Sequence, residues 1–344
     1  MRRILLLIIG LAVLGPAVSY AQVQVGQSGT LSGTVFGDFY WIPLNHNNNL
    51  EGQTGFWFRR IYFTYDHAIS EHFTARIRLE MASPGDFQTD EDMTPTVKDA
   101  YLKWHNEHHA IYAGISPTPT WEIVEEVWGY RSVEKSALDV YDFGSSRDFG
   151  LSARGKLGAE RKIGYHLMVG NGNGEGPELN KGKKLMGALS YRLTEQLIVQ
   201  GYADWNSHPD GDQYTLQGFI GWEGEKLSMG VLYAWQTRKG AKTNGDDRQL
   251  DLVSVFANVE LTEKLAAYGR IDHLFGNYVG GEGNDYLPFN PQGEPTLIIA
   301  GIDLTVGPDI HVMPNVEAIV YGETDAGIQP ESDLIPRLTL YYSF

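Results

Sequence analysis

The chain has 344 residues and a formal net charge of −16, from 27 lysines and arginines against 43 aspartates and glutamates, and no cysteine. That balance argues against nucleic acid as a partner. The missing thiols exclude a disulfide framework and any thiolate metal site, while 40 glycines and 19 tyrosines suit strands with tight turns better than helices.

Arg2 and Arg3 precede an apolar run from Ile4 to about Val18, followed by Ser19, Tyr20 and Ala21. This predicts a cleaved signal peptide over 1–21, and subtracting its two arginines takes the exported portion, 22–344, from −16 to −18. No later stretch holds the roughly eighteen consecutive apolar residues of a membrane-spanning helix.

Alternation of apolar and polar residues predicts strands over 30–41, 57–66, 72–82, 97–105 and 109–115, then over 148–157, 162–169, 185–193, 196–205 and 214–222, and finally over 226–236, 249–260, 264–273, 297–306, 309–321 and 334–344. The segment "HFTARIRLEMA" shows the pattern. Phe73, Ala75, Ile77, Leu79 and Met81 share one parity, Thr74, Arg76, Arg78 and Glu80 the other, so the two sets point to opposite faces of a strand. Each of these roughly sixteen segments is near the nine to eleven residues of a tilted membrane strand. Short turns near 69–70, 106–107, 159–160, 194–195, 224–225, 262–263 and 307–308 alternate with longer polar segments, among them 85–95, 116–147, 171–184 and 276–295. The rhythm predicts an all-β fold: one transmembrane antiparallel up-and-down β-barrel with short periplasmic turns and long extracellular loops.

Several strands carry a continuous apolar set, such as Val253, Val255, Ala257 and Val259, or Ile298, Ala300, Ile302, Leu304 and Val306. These are the expected lipid-facing positions, and Trp41, Trp104, Trp205, Trp222 and Trp235 near strand ends fit aromatic girdles. A lysine or arginine on the lipid face near the midplane costs about 2–4 kcal/mol, so the opposite parity is expected to line a wet interior. Parity assigns Arg60, Arg76, Arg78, Lys103, Arg154, Lys156, Arg192, Arg270 and Arg337 to that wall, with Glu80, Asp99, Asp204, Asp272 and Glu317 as the opposing set. Sixteen strands leave an aqueous channel where eight would fill their interior.

The third long loop, 116–147, offers Glu122, Glu125, Glu126, Glu134, Asp139 and Asp142 against Arg131, Lys135 and Arg147. The spacing of Ile123, Val124, Val127 and Trp128 predicts a short helix with an apolar side to press on the wall. The loop is expected to enter the lumen as a constriction, the alternative being an external lid, and a basic wall facing it would set up a transverse field. Arg270 with Asp272, and Arg78 with Glu80, are close enough in sequence to pair instead. The terminal "RLTLYYSF" places Leu340, Tyr342 and Phe344 on one parity, the pattern of a C-terminal signal for barrel assembly. "HNEHH", at 105–109, lies at a strand turn, so no metal is expected there, nor any cofactor. The nucleophile elbow G-x-S-x-G is absent, and no enzyme activity is expected.

The runs "FRRIYFTYDHAISEHFTARIRLEM", "SSRDFGLSARGKL" and "YYSF" resemble the phosphate-selective porin family of bacterial outer membranes. The resemblance implies a sixteen-stranded homotrimeric porin with an arginine ladder and an infolded third loop. Arg59 and Arg60 would match the paired arginines of its second strand, and Arg147 and Asp148 the start of the strand after the constriction. The third loop here is acidic, where phosphate-selective members carry lysines. Passive diffusion of small hydrophilic solutes or ions is therefore the expected function, with outer-membrane lipid around the barrel. The alternatives are a specific channel for phosphate-like anions or oligosaccharides, and a plugged structural or adhesive barrel.

Overall fold

A computed structural model describes residues 22–209, 211–242, 245–278, 286–323 and 327–344, so the expected signal peptide lies outside the described residues. The strands in chain order are β1 (Val23–Val25), β2 (Gly29–Trp41), β3 (Thr54–Ala68), β4 (Phe73–Met81), β5 (Thr96–His105), β6 (His109–Pro117), β7 (Arg147–Leu157), β8 (Ile163–Gly170) and β9 (Lys184–Arg192). They continue with β10 (Leu197–Asn206), β11 (Gln213–Glu223), β12 (Leu227–Arg238), β13 (Arg248–Thr262), β14 (Leu265–Phe275), β15 (Pro295–Gly307), β16 (Ile310–Tyr321) and β17 (Asp333–Ser343). Two short helices, α1 (Glu122–Trp128) and α2 (Ala137–Val140), lie between β6 and β7.

From β2 to β17 each strand pairs antiparallel with the next, and β17 returns to β2 with Leu340 opposite Gly37, closing a sixteen-stranded barrel. All sixteen strands expected from alternation form, with ends moved by no more than three residues. The additional β1 pairs only with the start of β2, Val23 opposite Leu31. At the seam Gly33 and Phe344 exchange backbone hydrogen bonds of 2.7 and 3.0 Å. A Cβ at Gly33 would fall 2.3 Å from the Phe344 ring, so the close approach needs glycine there.

The outer surface follows parity. Val231, Val255, Ile271, Ile298 and Leu340 point outward and are exposed, as are Trp41, Trp205 and Trp222 nearer the strand ends. An apolar belt of this extent suits hydrocarbon, where closed pairing also satisfies every strand's backbone groups.

The inner surface departs from the expectation of a wet lining throughout. Along β10 to β17 the inward set is largely apolar: Ile198, Phe219, Leu232, Leu250, Leu252, Leu297, Ile299 and Ile335 are all buried. They form a dry core with Trp121, Val124, Val127, Trp128, Leu138 and Tyr141 from the long segment between β6 and β7. Inward parity therefore means lumen-facing, and what fills the lumen decides whether it is wet.

Val255→Arg, at an outward position in the middle of β13, should lower stability by about 2–4 kcal/mol in a lipid bilayer. Urea titration of the variant folded into vesicles reads this, and a loss well under 1 kcal/mol would mean that this face does not meet hydrocarbon.

Candidate functional site

The segment between β6 and β7 enters the lumen, where its buried side chains pack against inward residues of β10 to β17. In α1, Val124, Val127 and Trp128 are buried on one side, as their spacing predicts. Gly129 ends the helix at φ 71°, its N–H donating to the Glu125 carbonyl, a left-handed cap that glycine adopts without strain. Trp128 then packs edge-on against Phe256 and Tyr268, and Tyr130 stacks on Tyr268 at 4.0 Å. The Asn258 amide donates to the Trp128 carbonyl at 3.1 Å, and the Gln236 amide to the Phe143 carbonyl at 2.8 Å. Both bonds tie the loop's backbone to inward side chains, β13 for the first and β12 for the second.

At its far end the loop is held by charge. A β-bulge in β3, opposite the Phe36–Gly37 step of β2, turns Arg59 and Arg60 to the same side, and both are buried. Parity alone places only Arg60 inside. Arg59 donates to the Glu134 carboxylate and to the Val133 carbonyl. It also lies 3.7 Å from Asp38 and 3.6 Å from Glu317, while Arg337 lies 2.9 Å from Glu317 and 3.5 Å from Asp38. Burial would push the Glu134 carboxyl up, but Arg59, Arg337 and Lys135 outweigh it and hold the group well below the usual carboxylate range. A second loop joins this cluster, because Tyr286 between β14 and β15 donates to backbone carbonyls at Ser83 and Arg59 and accepts from Arg337 at its own carbonyl. Nothing in the polar pattern of 276–295 pointed to an inserted aromatic; the signal available was the apolar group Tyr286, Leu287 and Phe289, all buried.

Between the loop and strands β3 to β9 the lumen stays polar. Toward the long loops is a cavity of about 710 Å³ lined by Arg60, Glu80, Lys98, Arg131, Lys135, Asp139, Asp142 and Arg147. Toward the short turns is one of about 920 Å³ lined by Lys103, Glu122, Glu126, Arg154, Lys156 and Arg192. A third, of about 460 Å³, lies under Tyr130 and shares Arg131 with the first.

Most charges here are compensated in place. Asp99, fully buried, sits between Arg78 at 3.3 Å and Arg147 at 2.5 Å, and Glu80 lies 3.4 Å from Arg60 and 3.5 Å from Lys98. Arg76 pairs with Asp66 at 2.7 Å, Arg154 with Glu122 at 2.6 Å, and Arg131 with Glu125 at 3.4 Å. Arg192 reaches Glu223 at 3.4 Å near the turns, and Asp142 faces Arg238, whose guanidinium donates to its carbonyl.

Four of the wall assignments lie under the infolded loops. Arg270 and Asp272 bond each other at 2.5–2.9 Å under the loop, and Arg270 also donates to the Lys135 carbonyl. Arg337 and Glu317 belong to the buried charge cluster. All four point inward, but the infolded loops cover them, so they hold the loops instead of lining water. Asp204 is also buried, against Lys184 at 3.1 Å and the Tyr202 hydroxyl at 2.6 Å. Arg78 does not pair with Glu80 but with Asp99, which the register of β4 and β5 places directly opposite it. At the terminus Leu340 and Phe344 are outward and exposed, with Tyr342 partly so.

No family model matches the chain. No curated protein matches it either. Solved structures do share its fold. The anion-selective porin of Comamonas acidovorans has a TM-score of 0.64 at 11% identity, covering 92% of this chain and 99% of that one. OmpF of Salmonella typhi, solved with daunomycin, has a TM-score of 0.65 at 12% identity, covering 94% and 100%. The outer-membrane channel DcaP of Acinetobacter baumannii has a TM-score of 0.66 at 11% identity, also covering 94% and 100%. At such identities the likeness is one of fold, the sixteen-stranded porin barrel, and it does not single out the phosphate-selective branch.

Arg59→Ala would leave Asp38, Glu134 and Glu317 with Arg337 and, at Glu134, Lys135 as their remaining cations, and breaking a buried pair this way costs about 3–5 kcal/mol. The loop should detach before the barrel unfolds, so trypsin should cut the folded variant after Lys135, a site buried in the parent. Equal resistance in both proteins would show that the cluster does not hold the loop.

Proposed function

We propose that the barrel lets small hydrophilic solutes and ions diffuse passively across a bacterial outer membrane, working as a homotrimer after export and cleavage of the leader. The observation that carries this reading is the pair of polar cavities on the two sides of an infolded loop, inside a closed sixteen-stranded barrel. Diffusion down a gradient needs no cofactor and no covalent step, only a wet path and a size limit. Loop and wall supply the limit between them.

Charge at the narrow region has two sides. Arg60, Arg78, Lys98 and Arg147 lie on the wall, Asp139 faces the cavity from the loop, and Arg131, paired with the loop's Glu125, stands between two of the cavities. Such an arrangement orients dipolar solutes and disfavours apolar ones, which would strip hydration from the charged groups without offering them a partner. Kinship with phosphate-selective porins is the finer reading, and it predicts a preference for anions. The plugged-barrel alternative predicts no conductance, so stepwise ohmic currents from the refolded protein in a planar bilayer are the first test, and their absence would sink the diffusion reading.

Glu125 makes selectivity depend on pH. Burial pushes its carboxyl up, Arg131 pulls it back, Asp139 pushes it further, and Arg147 and Lys98 pull it back again, leaving it above the ordinary value. As pH falls, Glu125 therefore takes up a proton earlier than an ordinary glutamate at about 4.3. The neutral form leaves Arg131, Lys98 and Arg147 less compensated, so the reversal potential under a salt gradient should move toward anions on acidification. Glu125→Gln should show the anion-shifted potential already at neutral pH and lose most of the acid response. An unchanged potential in that variant would remove Glu125 from the selectivity region.

A further inference from the structure

The cavity of about 460 Å³ beneath the loop differs in kind from the two larger ones. Its walls carry four aromatic rings from four separate parts of the chain: Phe36 on β2, Tyr62 on β3, Tyr341 on β17 and Tyr130 on the loop. Phe36 lies 6.2 Å from Tyr62 and 6.4 Å from Tyr341 between ring centres, so three of the rings form one continuous wall. Tyr130 is fixed by its stacking on Tyr268. Around the rings stand planar polar groups: the Arg78 guanidinium 5.4 Å from the Tyr62 ring centre, Arg131 5.9 Å from that of Phe36, and the Asp303–His311 pair at 2.9 Å.

The charges of this cavity are already partnered. Arg78 has Asp99 at 3.3 Å, Arg131 has Glu125 at 3.4 Å, and Asp303 has His311. An anion entering here would meet guanidinium groups whose charge is compensated, and would have to compete with carboxylates that are part of the protein. A neutral ring with an apolar C–H face and a rim of hydroxyls meets no such competition. Its face can lie on the aromatic wall, and its hydroxyls can both donate to carboxylate oxygens and accept from guanidinium N–H groups. The cavity volume is at the small end of the range for small-molecule sites, about 300–1,000 Å³.

We propose that this cavity is a binding subsite for a single sugar ring, placed between the infolded loop and the short-turn mouth. It deepens the diffusion reading, on which it rests for the route by which the sugar arrives. Binding is measured separately from conduction, so the two can fail independently.

The test is saturation-transfer NMR on the full-length, detergent-solubilised protein, with glucose as one probe and sodium benzoate as the other. Glucose should give a saturable signal from its ring protons. Tyr62→Ala and Tyr341→Ala should each weaken it by roughly tenfold, the scale of one lost aromatic contact. Tyr62→Phe keeps the ring and should stay within about twofold of the parent, and Tyr191→Ala, on the outer surface, should change nothing. Absence of saturable glucose binding in a protein that still conducts would overturn the subsite alone. Binding of benzoate without glucose would overturn the ligand class. A barrel that binds glucose but passes no current would support the subsite and overturn the diffusion reading.

Discussion

The extra residue in β3 opposite Phe36 and Gly37 is the constraint on which the lumen's organisation depends. In an unbroken strand Arg59 and Arg60 would face opposite ways, and one guanidinium would sit against lipid. The bulge removes that conflict by repeating the inward phase, and the hand-over is visible in the neighbours: Ile61 and Phe63 stay outward on one side of it, Phe58 and Phe56 on the other. A Cβ at Gly37 would fall 2.2 Å from the Trp57 carbonyl, so the strands approach closely where the phase changes. With both arginines inside, Arg60 can serve the wet wall through Glu80 while Arg59 anchors the loop through Glu134. One local irregularity thus supplies both halves of the interior.

Those halves obey different physics. On the β10–β17 side, the loop is held chiefly by apolar burial, with Trp128, Leu138 and Tyr141 packed against Phe256, Leu252 and Leu297. On the β3–β9 side, ion pairs line polar cavities, and those of Arg76 with Asp66 and Arg154 with Glu122 are partly exposed, which keeps each individually weak. A loop glued firmly to one wall leaves the polar cavities to the other. Dry packing and open polar space are compatible because different strands carry them.

Much of this was legible in the sequence. Strand alternation located every barrel strand, and the sorting of short and long connections gave the up-and-down order. The spacing of Val124, Val127 and Trp128 gave the helix in the third loop and its apolar side. Parity tells inside from outside but not covered from uncovered, which is why it groups Arg270 and Arg337 with Arg76 and Arg154. Coverage depends on a segment more than a hundred residues away, as with Lys135 over Arg270. A trace of it was nevertheless present: Leu232, Ala234, Leu250 and Leu252 make β12 and β13 apolar on both faces, which a strand between lipid and water has no reason to be. The bulge left no comparable trace, since two adjacent arginines are equally compatible with one facing out.

Closure of the barrel by β17 against β2 has a consequence for how the molecule comes into being. The hydrogen bond from Thr339 to Asp38 joins residues 301 positions apart, near the full span of the barrel. Until the last strand arrives, β2 on one side and the newest strand on the other are both bare edges, ready templates for pairing with any other chain. Loop closure over such a separation is also slow. The chain must therefore be kept from pairing with its neighbours throughout its delivery, and a polypeptide cut short by even one strand would be an unsealed sheet with nowhere safe to rest.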